Sequence, residues 1–305
     1  GEAVKSGGTF WLDITAPNTE DLNLLANVFK IHPLTVEDIL TEEIREKCEL
    51  FKNYYFVSIR TLITDSFTQS SLKSQNFYLL IFKNGIISFH SNMVPHINNV
   101  LKRITQLKDF INLNSDWINY ALIDDIIDGF GPILRQSELE VDTIDELVLI
   151  LKESEQSDML RRIGHARKRV TTLLRLLSTK PDVIKALTVR CGTEDRLASS
   201  TKTDIKLYLG DIQDHVLTMV QNCLHYEKVL SRAHSNYLAQ ISIELTQVSN
   251  RTNDVVAKLT VMASILLPMN VITGMWGMNV RVPGENVENL DWFFGICGCM
   301  LVLAL

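Results

Sequence analysis

Cysteine is scarce in this sequence and follows no pairing pattern. Five cysteines occur among 305 residues, and they are scattered at positions 48, 191, 223, 297 and 299. An odd, dispersed set does not form the disulfide framework of a small secreted domain. No secretory leader pattern is visible in the first residues. We therefore expect a chain whose thiols stay reduced.

An excess of positive charge is also missing. The 30 Lys and Arg stand against 36 Asp and Glu, which gives a formal net charge of −6. Without a basic stripe we expect no nucleic-acid partner. A Walker loop, a Gly-x-Gly-x-x-Gly run and a nucleophile elbow are absent too, and no histidine shares a zinc spacing with a cysteine pair. The sequence does not predict an enzyme.

Charge is absent from one long stretch near the C-terminus. Residues 259–276 form an 18-residue run without Asp, Glu, Lys or Arg, which is at the threshold for a membrane-spanning helix. A polar linker leads to a second apolar run at residues 290–305. That run has 16 residues, fewer than the ~20 needed to span a bilayer, so we expect the natural chain to continue past Leu305. The pattern predicts a large soluble part followed by two membrane segments, the second truncated.

Strand and helix signals alternate in the first third of the chain. β-branched and aromatic runs predict strands at residues 9–14, 54–64, 77–82 and 86–90, with Asn84-Gly85 as a hairpin signal. Helix-start chemistry predicts a helix after Asn18 and a second from His32-Pro33, and an apolar period predicts a third at 95–107. The result is an α/β domain over residues 1–115.

Only helices are predicted after residue 115. An acidic amphipathic helix is expected from Asp116 to Leu151, folding back on a basic helix that contains Arg161 to Arg175. This helical hairpin occupies residues 116–202, with breaks at Pro181 and at residues 191–203. A stalk helix over residues 203–276, roughly 110 Å long at ~1.5 Å per residue, then runs into the first membrane segment at about 257–276. A turn and loop at 277–289 and the start of the second membrane helix at 290–305 complete the expected order.

One face of the stalk helix carries small and polar residues at a 3–4 spacing. A coiled-coil seam buried on all sides would carry Leu and Ile instead, so lining a narrow pore explains this composition better. The members of this face, called the seam below, are Asn253, Val256, Thr260, Ala263, Leu267, Asn270 and Gly274, with Leu259 beside them.

The end of the first membrane segment carries a specific signature. Gly277-Met278-Asn279 terminates it, after Leu266-Leu267-Pro268-Met269-Asn270 and Gly274-Met275-Trp276. In this position the triplet closely resembles that of the CorA superfamily of magnesium channels, and the Trp before it is similar to the fungal plasma-membrane, Alr-type branch. The resemblance implies an α+β membrane protein: a cytosolic α/β domain, a long helical hairpin and a stalk helix that continues into the pore of a funnel-shaped homopentamer.

The resemblance also implies roles for single residues. Asn279 would form the outer selectivity ring, where amide oxygens recognise hydrated Mg²⁺. Asn270 and Asn253 would form inner polar rings, although Asn270 can instead join helices without touching ions. Val256, Leu259 and Leu267 would be apolar constrictions that gate by dewetting. Gly277 would take the left-handed conformation that often ends a helix, with Met278 packing the turn.

Acidic residues suggest two further sites. The stretch at residues 211–215 resembles the family's Asp-x-x-Asp-His string, which implies that Asp211 binds a regulatory divalent ion between subunits; a solvated helix face is the alternative. Glu285, Glu288 and Asp291 lie in the loop after the triplet. An acidic collar there would concentrate cations, whereas the plainer interpretation is a polar linker.

The function these observations predict is a passive, gated Mg²⁺ channel that carries divalent cations into the cytosol, with Mg²⁺ as substrate and regulatory ligand. Its partners would be further copies of the chain and membrane lipid, in the plasma membrane or alternatively the vacuolar or inner mitochondrial membrane. A proton-coupled zinc or divalent cation transporter is one alternative. The lack of an ionisable group in residues 259–276 argues against it. A non-conducting membrane scaffold is the other.

Overall fold

A five-stranded sheet forms the centre of the N-terminal region. The computed structural model describes residues 9–63, 72–107, 113–148, 156–193, 200–284 and 288–304. The strands are β1 (Phe10–Thr15), β2 (Lys47–Leu50), β3 (Tyr54–Ile63), β4 (Lys73–Phe82) and β5 (Gly85–His90), in the spatial order β1-β5-β4-β3-β2. β1 runs parallel to β5, and the other pairs are antiparallel. The two-residue turn that the Asn84-Gly85 pair predicted joins β4 to β5.

Two short helices pack on one face of the sheet. α1 (Thr19–Phe29) begins with a capping box, in which the Asn18 side chain accepts the Asp21 N–H at 2.7 Å. α2 (Pro33–Leu40) begins at His32, whose Nδ1 accepts the Leu34 N–H. The apolar side chains under these helices form one core, in which Leu22, Phe56, Leu80, Ile87 and Phe89 are fully buried. Local capping chemistry therefore places both helices where the sequence predicted them.

Two further helices, α3 (His96–Leu107) and α4 (Ser115–Asp128), are joined to the sheet by buried histidine chemistry. His96, 5% exposed, lies between the Thr61 hydroxyl of β3 and the Asp125 carboxylate of α4, each at 2.6 Å. His90 of β5 pairs with Asp13 of β1 at 3.2 Å. Each histidine thus connects elements that are far apart in sequence.

The helical region follows without further strands among the described residues. Its helices are α5 (Gly131–Val148), α6 (Gln156–Leu177), α7 (Lys180–Thr193), α8 (Ser200–Trp276) and α9 (Asp291–Ala304). α5 and α6 contact each other, and the predicted acidic-to-basic pairing occurs there as an Arg162–Glu140 ion pair at 3.0 Å. By their contacts, residues 1–236 and 237–305 form two separate units, and α8 contributes to both.

Three details of the secondary structure differ from the sequence prediction. The helix expected from Asp116 to Leu151 is two helices, because the chain breaks at Gly129 and Phe130; residues 149–151 lie outside the described residues. The break expected at Pro181 lies just before it, at Ser178 and Thr179 between α6 and α7, because Pro181 occupies the first turn of α7, where proline is tolerated. The short edge strand β2 was not predicted. Its four residues, Lys47–Leu50, are too few to show a period.

Candidate ion pathway

The seam lies on one face of α8 and is exposed along its whole length. Every one of its residues and Leu259 is exposed in the single chain, with 52% for Val256, 60% for Leu259 and 66% for Leu267. At about 100° per helical residue, these positions fall within an arc of roughly 120°. The sequence therefore predicted a real geometric face, which carries amide, hydroxyl and small aliphatic groups without charge.

The opposite face of α8 is turned toward α9. Ile265, Pro268, Met269 and Ile272 are half-buried, and at about 100° per residue their mean direction is roughly opposite to that of the seam. Ile272 and Trp276 share a cavity of about 420 Å³ with residues of α9, including Trp292 and Ile296. α9 therefore approaches α8 at Ile272 and Trp276, on the side of α8 roughly opposite the seam.

The hydroxyl groups along this stretch bond to their own helix. Thr260 Oγ1 donates to the carbonyl of Val256 at 2.8 Å, and Thr273 Oγ1 donates to that of Met269 at 3.0 Å. Among the described residues, the side-chain amides of Asn253, Asn270 and Asn279 have no hydrogen-bond partner. The threonines are thus satisfied locally, whereas three amides on or beyond the seam still have hydrogen-bonding capacity.

The predicted selectivity triplet forms the turn that directly follows α8. The Gly277 N–H closes the last helical hydrogen bond, to the Thr273 carbonyl at 2.9 Å. The expected left-handed conformation at Gly277 is wrong, since the only described glycine with a positive φ is Gly284. Small size still matters at Gly277, because an added Cβ would lie 3.2 Å from the Thr273 oxygen. Met278, expected to pack the turn, is 59% exposed.

Two tryptophans contact Pro283 and Gly284 in the segment that follows the triplet. Trp276 Nε1 donates to the Pro283 carbonyl at 3.4 Å. Gly284 has a φ of 93°, and an added Cβ would lie 2.7 Å from Trp292 Cγ. The close Gly284–Trp292 contact requires glycine on both steric and conformational grounds. The sequence predicted a turn and loop at residues 277–289 but not these contacts, for which the Trp before the triplet was the available signal.

The candidate regulatory residue Asp211 lies on a different part of α8. Its side chain is 70% exposed, and the imidazole of His215 lies one turn away, with Nε2 3.9 Å from Asp211 Oδ1. His215 also lies near the carboxylates of α4. Burial raises the pKa of Asp128, the neighbouring Asp124 and Asp125 raise it further, and His215 lowers it. The sequence did not identify these α4 acids as neighbours of the Asp211–His215 segment.

A complete metal site is not formed by these groups within one chain. Within the described ranges, no three His, Cys, Asp or Glu side chains are placed to hold a metal ion. Glu288 of the predicted external collar is exposed, and Glu285 lies outside the described residues. Any divalent ion held by Asp211 would therefore need ligands from another copy of the chain.

The fold and this segment together define a class of protein. It has an α/β domain followed by helices, one of which, α8, is long and apolar enough to cross a membrane, with an 18-residue window of mean hydropathy 1.9. The model of the CorA-like Mg²⁺ transporter protein family matches residues 6–305. The chain belongs to this family.

Individual relatives agree with that assignment. The chain is 51% identical over 306 residues to protein C17A12.14 of Schizosaccharomyces pombe, and 41% identical over 344 residues to magnesium transporter ALR2 of Saccharomyces cerevisiae. The matches cover 98% and 100% of this chain but only 49% and 40% of those proteins, so the chain spans half their length or less. The solved CorA magnesium transporter of Methanocaldococcus jannaschii has the same fold, with a TM-score of 0.68 at 20% identity over 96% of this chain and 87% of that one.

Proposed function

We propose that copies of this chain assemble into a homopentameric membrane channel that conducts Mg²⁺ into the cytosol, with α8 lining the pore and Asn279 at its mouth. The observation that carries the proposal is the uncharged seam, exposed on the face of α8 opposite α9 and ending at Gly277-Met278-Asn279. The names of the family and of ALR2 make Mg²⁺ the first substrate to consider.

The seam argues for more than one copy of the chain. Asn270 lies inside the expected membrane segment at about 257–276; it is exposed, and its amide lacks a partner among the described residues. An amide facing hydrocarbon without a hydrogen bond costs on the order of several kcal/mol. The seam must therefore face water or another protein surface, and a ring of α8 helices around a water-filled axis provides both.

Asn279 is suited to recognise an ion that keeps its water. Mg²⁺ requires octahedral oxygen coordination and loses its hydration shell reluctantly. A ring of neutral amide oxygens can accept hydrogen bonds from the first-shell waters without stripping them, and symmetry multiplies the single Asn279 of each chain. The Trp276–Pro283 hydrogen bond and the Gly284–Trp292 contact would fix the loop that presents it.

Passive flow is energetically sufficient. Moving one elementary charge across 100 mV is worth ~2.3 kcal/mol, so a divalent cation gains about 4.6 kcal/mol. At ~1.4 kcal/mol per tenfold change, this energy can maintain a ratio of inside to outside Mg²⁺ concentration on the order of a thousandfold. The absence of ionisable side chains from residues 259–276 fits a pore that needs no proton carrier in the membrane.

Regulation would come from the exposed Asp211. A divalent ion between Asp211 of one copy and carboxylates of a neighbour would relieve repulsion between them. Loss of that ion at low cytosolic Mg²⁺ would loosen the assembly and open the pore. We expect Asp211→Asn to conduct at Mg²⁺ concentrations that close the wild-type channel.

The decisive experiment is Mg²⁺ uptake into liposomes that carry the full-length protein, driven by an inside-negative potential. We expect uptake by the wild type, with or without a pH gradient, and loss of uptake in Asn279→Ala. Asn270→Leu should also reduce uptake, because it places an apolar side chain on the seam. Val261→Leu is the matched control, since it enlarges an exposed side chain in the same segment whose direction lies about 80° outside the arc of the seam.

Each other outcome has a defined meaning. Uptake that requires a pH gradient would replace the channel by a proton-coupled transporter. Equal loss of uptake in Asn270→Leu and Val261→Leu would overturn the assignment of the pore face. If the properly assembled wild type carried no Mg²⁺ flux, a non-conducting membrane scaffold would be the remaining interpretation.

A further inference from the structure

A small cavity lies at one end of the sheet, far in sequence from the ion pathway. It occupies about 230 Å³ where the parallel strands β1 and β5 end, and the residues that follow them, Ala16 and Ser91, line it. The end of α2, with Ile39 and Leu40, lines it from the helical layer. The carboxyl ends of neighbouring parallel strands are a common location for ligand sites in α/β proteins.

The cavity contains a buried hydroxyl group that is ready to donate. Tyr78 lines it and is 3% exposed. Its oxygen accepts a hydrogen bond from Asn76 Nδ2 at 2.8 Å, and its own proton has no acceptor among the residues that the structure describes. Burial, together with nearby carboxylates that include Glu42, raises the pKa of Tyr78 to about 12. The phenol therefore stays protonated, and a buried donor without an acceptor is unfavourable unless something accepts from it.

A carboxylate lines the same cavity. Glu42 has a φ of 50°, an uncommon conformation for a residue other than glycine. Asn76 Nδ2 donates a hydrogen bond to the Glu42 backbone carbonyl at 3.0 Å. One of its carboxylate oxygens accepts the Ser91 hydroxyl at 2.7 Å. His90, which also lines the cavity, is paired with Asp13 at 3.2 Å. Glu42 thus gives the cavity a negative end close to the Tyr78 donor.

We propose that this cavity binds a small organic ammonium compound whose cation pairs with Glu42 and whose hydroxyl or carbonyl oxygen accepts from Tyr78. The body of the ligand would lie against Pro17, Ile39, Leu40 and Phe89. A cavity of about 150 Å³ holds benzene, so 230 Å³ fits one ring with a short polar chain. The lining is mixed, with four polar residues beside five apolar ones, and small-molecule sites combine apolar contacts with a small number of placed polar groups.

The test uses three probes of similar size on the full chain in nanodiscs. They are 2-amino-1-phenylethanol, with ammonium and hydroxyl; 2-phenylethylamine, with ammonium alone; and phenylacetate, an anion. Saturation-transfer NMR titrations give the dissociation constants, with empty nanodiscs to subtract partitioning. For ligands of about ten heavy atoms we expect millimolar values, in the order amino alcohol, amine, and no saturable binding of the anion.

Two variants separate the two contacts. Glu42→Gln should weaken both cations about tenfold, because it removes the charge and keeps the shape. Tyr78→Phe should weaken the amino alcohol three- to tenfold and leave the amine unchanged, since only the amino alcohol has an oxygen that accepts from Tyr78. Glu43→Gln is the matched control for Glu42, because it removes a neighbouring exposed carboxylate that does not line the cavity.

The proposal can be tested without a substitution at a buried residue, which could prevent folding. Glu42 is exposed, so Glu42→Gln is expected to fold, and equal binding to it and to the wild type would overturn the assignment. Absence of saturable binding of either cation to the wild type at 20 mM, on the order of the weakest constant expected for such fragments, would also overturn it. Neither result depends on whether the chain conducts Mg²⁺.

Discussion

A buried ion pair connects helix α7 to the sheet, and its removal gives a quantitative prediction. Lys180 is fully buried, and its Nζ donates to Glu46 Oε1 at 2.6 Å and to the Arg60 carbonyl at 2.7 Å. Glu46 Oε1 also accepts the Arg60 N–H at 2.7 Å, and the Glu46 side chain is only 2% exposed. Burial lowers the pKa of Lys180, and the Glu46 carboxylate opposes that shift.

Lys180→Met removes one partner and leaves the Glu46 carboxylate buried without a cation. Breaking a buried pair in this way costs about 3–5 kcal/mol, mostly because the remaining charge is uncompensated. At ~2–4 °C per kcal/mol for a unit of about this size, the melting temperature should fall by roughly 10 °C. The double variant Lys180→Met/Glu46→Gln removes both charges and should recover more than half of the loss.

The assay is thermal unfolding of the full chain in detergent, followed by tryptophan fluorescence. Arg162→Met is the matched control, because the Arg162–Glu140 pair has the same chemistry with side chains 34% and 37% exposed. An exposed pair of this kind is worth about 1 kcal/mol or less. A Lys180→Met melting temperature as close to wild type as that of Arg162→Met would refute the reasoning, and so would additive losses in the double variant.

Three further predictions concern the N-terminal unit. Although burial alone lowers the pKa of His90, pairing with Asp13 raises it overall. The pair should therefore stabilise the fold fully below about pH 6.5 and less as pH rises through the folded pKa. The difference in free energy of unfolding between wild type and Asp13→Asn, measured in urea, should shrink as pH rises over that range. In Gly85→Ala the new Cβ would lie 2.2 Å from the Phe10 ring, so we expect a loss of about 1–3 kcal/mol in urea unfolding, partly restored by Phe10→Leu. Burial raises the pKa of Cys223 to about 11, so this thiol should react with a thiol reagent only after unfolding; rapid labelling of the native chain would contradict that.

Local chemistry made much of the secondary structure predictable. The capping box at Asn18, the proline after His32 and the Asn84-Gly85 turn each act within a few residues, so the sequence alone locates α1, α2 and the β4–β5 hairpin. The break between α4 and α5 was missed because the apolar period continues through Gly129 and Phe130, and Phe130 is fully buried. Periodicity reports which face is buried, not whether the backbone remains helical.

The sequence pattern did not predict which residues far apart in the chain contact each other. Glu46 and Lys180 are 134 residues apart, and nothing in the sequence near either residue indicates the other. The segment of Asp211 and His215 shows the same limit, because the proximity of His215 to Asp128 of α4 follows from packing between helices. The cavity at Tyr78 and Glu42 draws its lining from four separate segments and has no sequence signature.

The candidate pathway could be proposed from the sequence because a pore would constrain the residues on one helix face. A residue that lines a pore must be small or neutral at every turn, and this constraint repeats with the helical period, as the spacing from Asn253 to Gly274 records. The loop that would hold Asn279 obeys no such period. Its contacts, Trp276 with Pro283 and Gly284 with Trp292, join residues 7 and 8 positions apart, and each links a loop residue to a tryptophan of a neighbouring helix. If Asn279 forms the mouth, the identity of its residues is encoded by a motif, whereas the geometry of the loop depends on the contacts of two tryptophans.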